Sequence, residues 1–317
     1  MTKLLAAITL IVGILVGGTP ASAATIGEVT GFGSNPGNLR MFRYIPDALP
    51  ANRPLVVALH GCTQLAASYG TNAGWVELAD RFRFAVLLPE QQQANNASRC
   101  FNWFQGNDIS RGQGEAESIA QMVRRMLANT AADPARVSVT GLSAGGAMTS
   151  VMLAAYPELF TAGGIVAGLP YRCATTMIDA FSCMNPGKDL TPAQWGDRVR
   201  AASSHTGPWP SVSIWHGTSD FTVATANQRE QVDQWTNVHG ISQTPSNTDT
   251  VAGYPHATYR DPSGRTVVET YSITGMGHGQ PVNPGTASGQ CGHTAAYVLD
   301  VNICAAWWLA SAWRLDG

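Results

Sequence analysis

Gly141-Leu142-Ser143-Ala144-Gly145 stands directly behind the β-branched run Val137-Ser138-Val139-Thr140 and just ahead of a helix-forming stretch, Ala147 to Tyr156, that Pro157 ends. A G-x-S-x-G pentapeptide between a strand and a helix has the spacing of a nucleophile elbow, the tight turn that lifts a serine hydroxyl clear of a sheet edge. Glycines at Ser143 ± 2 supply the room such a turn needs against the neighbouring strand and helix. By itself the pentapeptide is equally compatible with a glycine-rich turn that binds nothing. A serine hydroxyl becomes a useful nucleophile only beside a general base, which a carboxylate must in turn orient. The chain supplies both in the order Ser, Asp, His. Asp220 closes the loop Trp215-His216-Gly217-Thr218-Ser219-Asp220 behind the strand Ser211–Ile214. His278 sits in Gly277-His278-Gly279 behind the strand Thr266–Ile273, and of the 7 histidines it alone is both adjacent to the last strand and downstream of Asp220. An aspartate in a turn is often only a local backbone acceptor. Three such residues in this order, each behind a strand, point to acyl transfer through Ser143, His278 and Asp220.

Acyl transfer also requires donors for a developing oxyanion. The apolar run Leu55-Val56-Val57-Ala58-Leu59 leads straight into His60-Gly61-Cys62-Thr63-Gln64. The backbone N–H of Cys62 or of Thr63 is expected on one side of the oxyanion and that of Ala144 on the other. His60 reads as a structural imidazole bracing this loop, with no part in proton transfer. His293, the nearest competitor of His278, reads as structural or exposed. Gln64 and Trp103 are candidates for the substrate cleft, Trp103 because it lies in a polar, aromatic-containing loop running from Gln91 to Gly106.

The elements needed to hold these groups follow from hydrophobic periodicity. Ile26–Val29 and Leu39–Tyr44 read as two strands joined by the turn-rich stretch 31–37, where Pro36 argues against a glycine-rich phosphate loop leading into a helix. Leu55–Leu59 and Phe84–Leu88 are continuous apolar runs, as in parallel strands covered on both faces. Helices are expected over Ala73–Phe82, Gly114–Asn129 and Ala224–Val238, the last capped by Gly240, with a further strand at Gly164–Ala167 and a hairpin turning at 261–264. The largely apolar stretch Ala295–Leu315 reads as one long C-terminal helix. Between Leu169 and Pro210 the pattern loosens into a lid-like insertion. Alternating strands and helices argue an α/β protein with a mainly parallel sheet and helices on both faces.

Residues 1–23 have the form of a secretory signal peptide: Lys3, an apolar stretch from Leu4 to Val16 and Ala21-Ser22-Ala23 as cleavage site. Residues 24–317 are then expected to form one catalytic domain outside the cytoplasm. Only 13% of residues are charged and no run of Lys or Arg exceeds Arg124-Arg125, so neither nucleic acid nor an anionic membrane finds a basic footprint. The 6 cysteines contain no C-x-x-C pair, which argues against structural zinc. In an oxidising compartment they are expected as disulfides, Cys173–Cys183 and Cys291–Cys304 as local clips and Cys62–Cys100 as the remainder. No ligand cluster asks for a metal or cofactor.

His60-Gly61-Cys62-Thr63-Gln64, Phe84 to Gln91, Asn102-Trp103-Phe104, Gly141 to Met148, Trp215 to Asp220 and Gly277-His278 together resemble the esterase family of secreted poly(3-hydroxybutyrate) depolymerases and the related feruloyl and acetylxylan esterases. The resemblance covers nearly all of the chain after residue 23. It implies an α/β-hydrolase fold, a Ser143–Asp220–His278 triad, no cofactor, and an ester as substrate: a polyester, an oligomer of one, or a plant cell-wall ester. A hydrolase-fold protein without activity that binds carbohydrate or a surface partner is the alternative from another class.

Overall fold

The protein is described by a computed structural model over residues 24–316; the leader assigned to residues 1–23 lies outside the described residues. In chain order the first elements are β1 (Gly27–Val29), β2 (Arg40–Tyr44), β3 (Leu55–Leu59), α1 (Ala66–Asn72), α2 (Trp75–Phe82) and β4 (Ala85–Glu90). They are followed by α3 (Gly114–Thr130), β5 (Val137–Leu142), α4 (Ala144–Ala155), β6 (Ala162–Val166), α5 (Met177–Met184), α6 (Pro192–Arg200) and β7 (Ser211–Gly217). The last are α7 (Ala226–His239), β8 (Asn247–Val251), β9 (Tyr254–Arg260), β10 (Thr266–Ile273), β11 (Gln280–Val282), β12 (Val298–Asp300) and α8 (Ala305–Ala312).

Ten strands form one sheet in the order β1-β2-β4-β3-β5-β6-β7-β10-β9-β8. The six from β4 to β10 run parallel, and antiparallel pairs flank them on both sides. The two-residue alternation of a strand divides the apolar side chains of β3 between two cores. Leu55, Val57 and Leu59 face α3, α4 and α7 through Met122, Met148 and Trp235. Val56 and Ala58 face α1, α2 and α8 through Tyr69, Trp75 and Leu309. The mainly parallel sheet with helices on both faces is therefore as expected, and β5, which carries the serine at its end, lies near the sheet's centre.

Several elements differ from the sequence reading. β4 runs through Pro89 to Glu90, because β3 pairs with it only as far as Leu87 and the missing proline N–H is not called on from that side. A short helix, α1, precedes α2 and is separated from it at Gly74, which has a φ of 90°. The expected helix Ala295–Leu315 shrinks to α8. Ahead of it Tyr297 and Asn302 take left-handed φ values of 60°, and Val298–Asp300 pairs with β11 as a parallel strand. The apolar run before Cys304 satisfies a strand as well as a helix, and two left-handed residues exclude the helix. The insertion holds two helices. α6 opens on a complete capping box, Thr191 and Gln194 bonding reciprocally to each other's backbone N–H, with Pro192 at the first helical position.

All three disulfides pair as expected, Cys62–Cys100, Cys173–Cys183 and Cys291–Cys304. Among the described residues no helix is long and apolar enough to cross a membrane.

Candidate active site

Ser143 directly follows β5 and caps α4 with φ 58° and ψ −118°, a conformation rarely adopted by residues carrying a Cβ. The turn is this tight because α4 begins at the very next residue. A Cβ on Gly145 would stand 2.2 Å from the Leu59 carbonyl oxygen, and one on Gly141 2.4 Å from the Gly145 backbone. Both obstructions are main chain and cannot swing away.

Two loops from neighbouring strands complete the site. β7 ends at Gly217, whose own Cβ would lie 2.3 Å from the Met276 carbonyl oxygen, so the glycine lets the loop after β10 pass close by. That approach puts His278 between Ser143 and Asp220. His278 Nε2 lies 2.8 Å from Ser143 Oγ, and His278 Nδ1 lies 2.7 Å from Asp220 Oδ2. The other carboxylate oxygen of Asp220 accepts the N–H groups of Thr222 and Val223, both at 2.9 Å. Burial pushes the Asp220 carboxyl up, but the His278 hydrogen bond and charge, the Val223 N–H and His216 together outweigh it and hold the group below its ordinary value. Asp220 is therefore an anion at neutral pH, fixed by backbone donors on one oxygen and facing the imidazole with the other.

His216 closes the buried side of Asp220. Its Nε2–H donates to the Val223 carbonyl at 2.9 Å and stands 3.5 Å from Asp220 Oδ2. Burial lowers its pKa against the pull of the Val223 carbonyl and Asp220, so the ring is neutral. Its position was legible only as part of the loop motif. His60 does brace its loop: Nδ1–H donates to the Gly61 carbonyl at 2.7 Å, and Nε2 accepts the Gln91 N–H at 3.0 Å. Burial pushes it down to about 4, which leaves it a neutral strut. His293 is exposed, with Glu77 at 3.8 Å.

Of the oxyanion candidates, Thr63 is engaged elsewhere, its N–H donating to the Ser98 carbonyl at 2.6 Å. Among the described residues the N–H groups of Cys62 and Ala144 have no partner. Ala144 is the first residue of α4, where the N-terminal end of the helix dipole adds positive potential. Both cleft candidates lie on cavity walls beside the serine. Trp103 lines a cavity of about 250 Å³ that includes Ser143 and Ala144, and Gln64 one of about 130 Å³ that includes Ser143 and His278. Met177, Phe181 and Tyr297 also line these cavities. Sequence reasoning missed all three, because the first two sit on α5, unrecognised in the insertion, and Tyr297 was placed in a helix. A separate basin of about 460 Å³, lined by Arg172, Lys188 and Arg198 among others, touches none of the three catalytic candidates.

A mostly parallel sheet with a serine elbow near its centre, and a histidine and an aspartate delivered by the loops after later strands, defines an α/β-hydrolase. Comparison with known proteins narrows the class. Residues 39–251 match the family described as Esterase PHB depolymerase. The chain is 54% identical to poly(3-hydroxyalkanoate) depolymerase C of Paucimonas lemoignei over 305 residues, 96% of this chain and 73% of the relative. It is 40% identical to an acetylxylan esterase of Coprinopsis cinerea over 277 residues, 83% of this chain and 72% of the relative. Among solved structures, the acetyl xylan esterase from Aspergillus awamori superposes with a TM-score of 0.74 at 30% identity, covering 80% of this chain and 94% of that one. The chain belongs to the esterase PHB depolymerase family and is a hydrolase of ester bonds.

Proposed function

We propose that this protein is a secreted serine carboxylesterase that cleaves poly(3-hydroxyalkanoate)-type polyesters or their oligomers through an acyl-enzyme on Ser143. The observation that carries the reading is the unbroken chain of short contacts from Ser143 Oγ through His278 to Asp220, built on an elbow that holds Ser143 at φ 58° and ψ −118°. His278 Nε2 takes the Ser143 proton as Oγ attacks the ester carbonyl carbon. The carbonyl oxygen becomes an oxyanion between the N–H groups of Cys62 and Ala144, and Asp220 stabilises the imidazolium. Collapse breaks the carbon–oxygen bond to the alcohol, which leaves with the proton from His278. Water then gives its proton to His278 and attacks the acyl carbon, and the acid departs as the proton returns to Ser143.

Export is supported by three disulfides, which persist in oxidising compartments, and by the form of residues 1–23. The 54% identity to a polyhydroxyalkanoate depolymerase favours the polyester reading. An acetylxylan or feruloyl esterase acting on plant cell-wall esters is the second reading, favoured by the 40% identity to an acetylxylan esterase. Clearing of a polyhydroxybutyrate suspension, run beside release of acetate from acetylated xylan and of ferulate from its methyl ester, separates the two. Activity confined to the cell-wall esters would sink the first. Ser143→Ala should lose turnover on every ester, by about 10⁶-fold for a triad serine, and should lose labelling by a fluorophosphonate while staying folded.

A further inference from the structure

Two cavities meet at Ser143, and they are not equivalent. The larger, about 250 Å³, passes over Ala144 and is walled by Trp103, Leu169, Met177 and Phe181, with no charged side chain and no contribution from His278. The smaller, about 130 Å³, is walled by His278 together with Gln64, Thr222 and Tyr297. Four groups surround the attacked carbon in the tetrahedral intermediate. One is Ser143 Oγ, and a second is the oxyanion between Cys62 and Ala144. A third, the leaving oxygen, must lie within hydrogen-bond reach of His278 Nε2, since that nitrogen protonates it. The acyl substituent has to take the remaining direction.

We propose that the larger cavity receives the acyl half of the ester and the smaller one the alcohol half, with Phe181 selecting the acyl group and Tyr297 the alcohol. This rests on the acyl-enzyme reading above and adds the chemistry of each half. The acyl cavity suits an uncharged, apolar acyl group. The alcohol side carries the hydroxyl of Thr222, the amide of Gln64 and the phenol of Tyr297, which suit an alcohol bearing further oxygen atoms. In an oligoester of hydroxy acids every alcohol half carries the next carbonyl, so such a strand fits across both cavities with its scissile bond at Ser143. The exposed apolar surface follows the same line. Met177 is 51% and Phe181 66% exposed at the acyl mouth, and Tyr297 is 49% exposed at the alcohol mouth. Phe181 stands on α5, which Cys173–Cys183 ties to the preceding loop, so this wall selects by shape.

The test uses two ester series and two variants. One series keeps p-nitrophenol as the alcohol and lengthens the acyl chain from acetyl to octanoyl; the other keeps butyryl and varies the alcohol through methyl, butyl and benzyl. Phe181→Ala should move the octanoyl-to-butyryl ratio of kcat/KM by about tenfold or more, the scale of a methylene's worth of pocket, and should leave the ranking of alcohols in place. Tyr297→Asn removes the ring while tolerating the left-handed backbone at that position. It should reorder the alcohols with the effect confined to acylation, because the butyryl-enzyme is the same species whichever alcohol has left. Burst kinetics separates the two steps. A wild-type burst together with the crossed pattern, or with no change in either variant, overturns the cavity assignment alone. A wild-type enzyme that gives no burst and takes no phosphonate label overturns the acyl-enzyme reading, and the assignment with it.

Discussion

Replacing Asp220 by asparagine is the sharpest probe of the site, because the surrounding backbone dictates how the new amide must sit. Asp220 Oδ1 accepts two main-chain N–H groups, from Thr222 and Val223, each at 2.9 Å. An amide NH₂ cannot occupy that position, so the asparagine oxygen takes it and the NH₂ turns toward His278 Nδ1, 2.7 Å from the present carboxylate oxygen. Nδ1 must then accept, the ring proton moves to Nε2, and Nε2–H points at Ser143 Oγ, 2.8 Å away. The imidazole is held in the tautomer that cannot take the serine proton. The same exchange in the serine-protease triad costs about 10⁴ in kcat, equivalent to about 5 kcal/mol of transition-state stabilisation. We expect a loss of that size in kcat for p-nitrophenyl butyrate from Asp220→Asn, with little change in KM, an unaltered melting profile and loss of the downfield Nδ1–H proton resonance. A loss below tenfold in a folded variant would refute the reasoning. The other aspartates of the C-terminal half offer no easy substitute: Asp249 holds His256 at 2.7 Å, Asp261 is taken up by Ser263 and Arg265 in its own turn, and Asp300 bonds to Asn302.

Gly145→Ala should cost about 3 kcal/mol, the upper range for overpacking, because the new methyl meets main-chain oxygen at 2.2 Å; thermal unfolding and turnover should both fall, and a variant with wild-type stability would contradict the packing of the elbow. Burial first, and then the neighbouring Asp108, push the Glu115 carboxyl from 4.5 up to about 8 against the hydrogen bonds it accepts from Asn102 and Gln91. Its contribution to stability is therefore complete below pH 4.5 and lost as pH rises through 8. His60, depressed from 6.5 to about 4, contributes fully above pH 6.5 and loses its contribution as pH falls through 4. Of this pair only Glu115 acts between pH 6.5 and 8, so melting temperature should decline across that interval and the decline should vanish in Glu115→Gln; a slope that persists in the variant would exclude Glu115 as its source.

The parts of the site written in local sequence were legible. The elbow reads from five residues because its glycines answer a backbone clash that five residues create. Asp220 and His278 read from order and from the strands behind them, since parallel strands deliver their following loops to the same sheet edge. The choice between Cys62 and Thr63 did not read, because it depends on Ser98, 35 residues on from Thr63, reaching back to take the Thr63 N–H. Tyr297 was hidden by an apolar run that satisfies helix and strand periods alike, settled by two left-handed residues and by pairing with β11. The case of α6 is different. Thr191-Pro192-Ala193-Gln194 is a helix start visible in sequence, passed over because the flanking pattern is loose.

The disulfides bear on why these walls hold their shape. Each closes a different side of the site: Cys62–Cys100 joins the loop carrying the Cys62 N–H to the segment carrying Trp103, Cys173–Cys183 anchors α5 behind Phe181, and Cys291–Cys304 brackets Tyr297. All three segments are excursions from the central sheet. Excursions of this kind open locally at low cost, whereas a wall that selects by shape must stay put. A cross-link restricts the open states of such a segment without filling the cavity beside it, which added apolar packing would do. Half-buried Ser143 needs no such device, because the buried strand β5 and the buried first turn of α4 hold its backbone from both sides. The protein thus holds its elbow by packing and the loops beside it by covalent bonds.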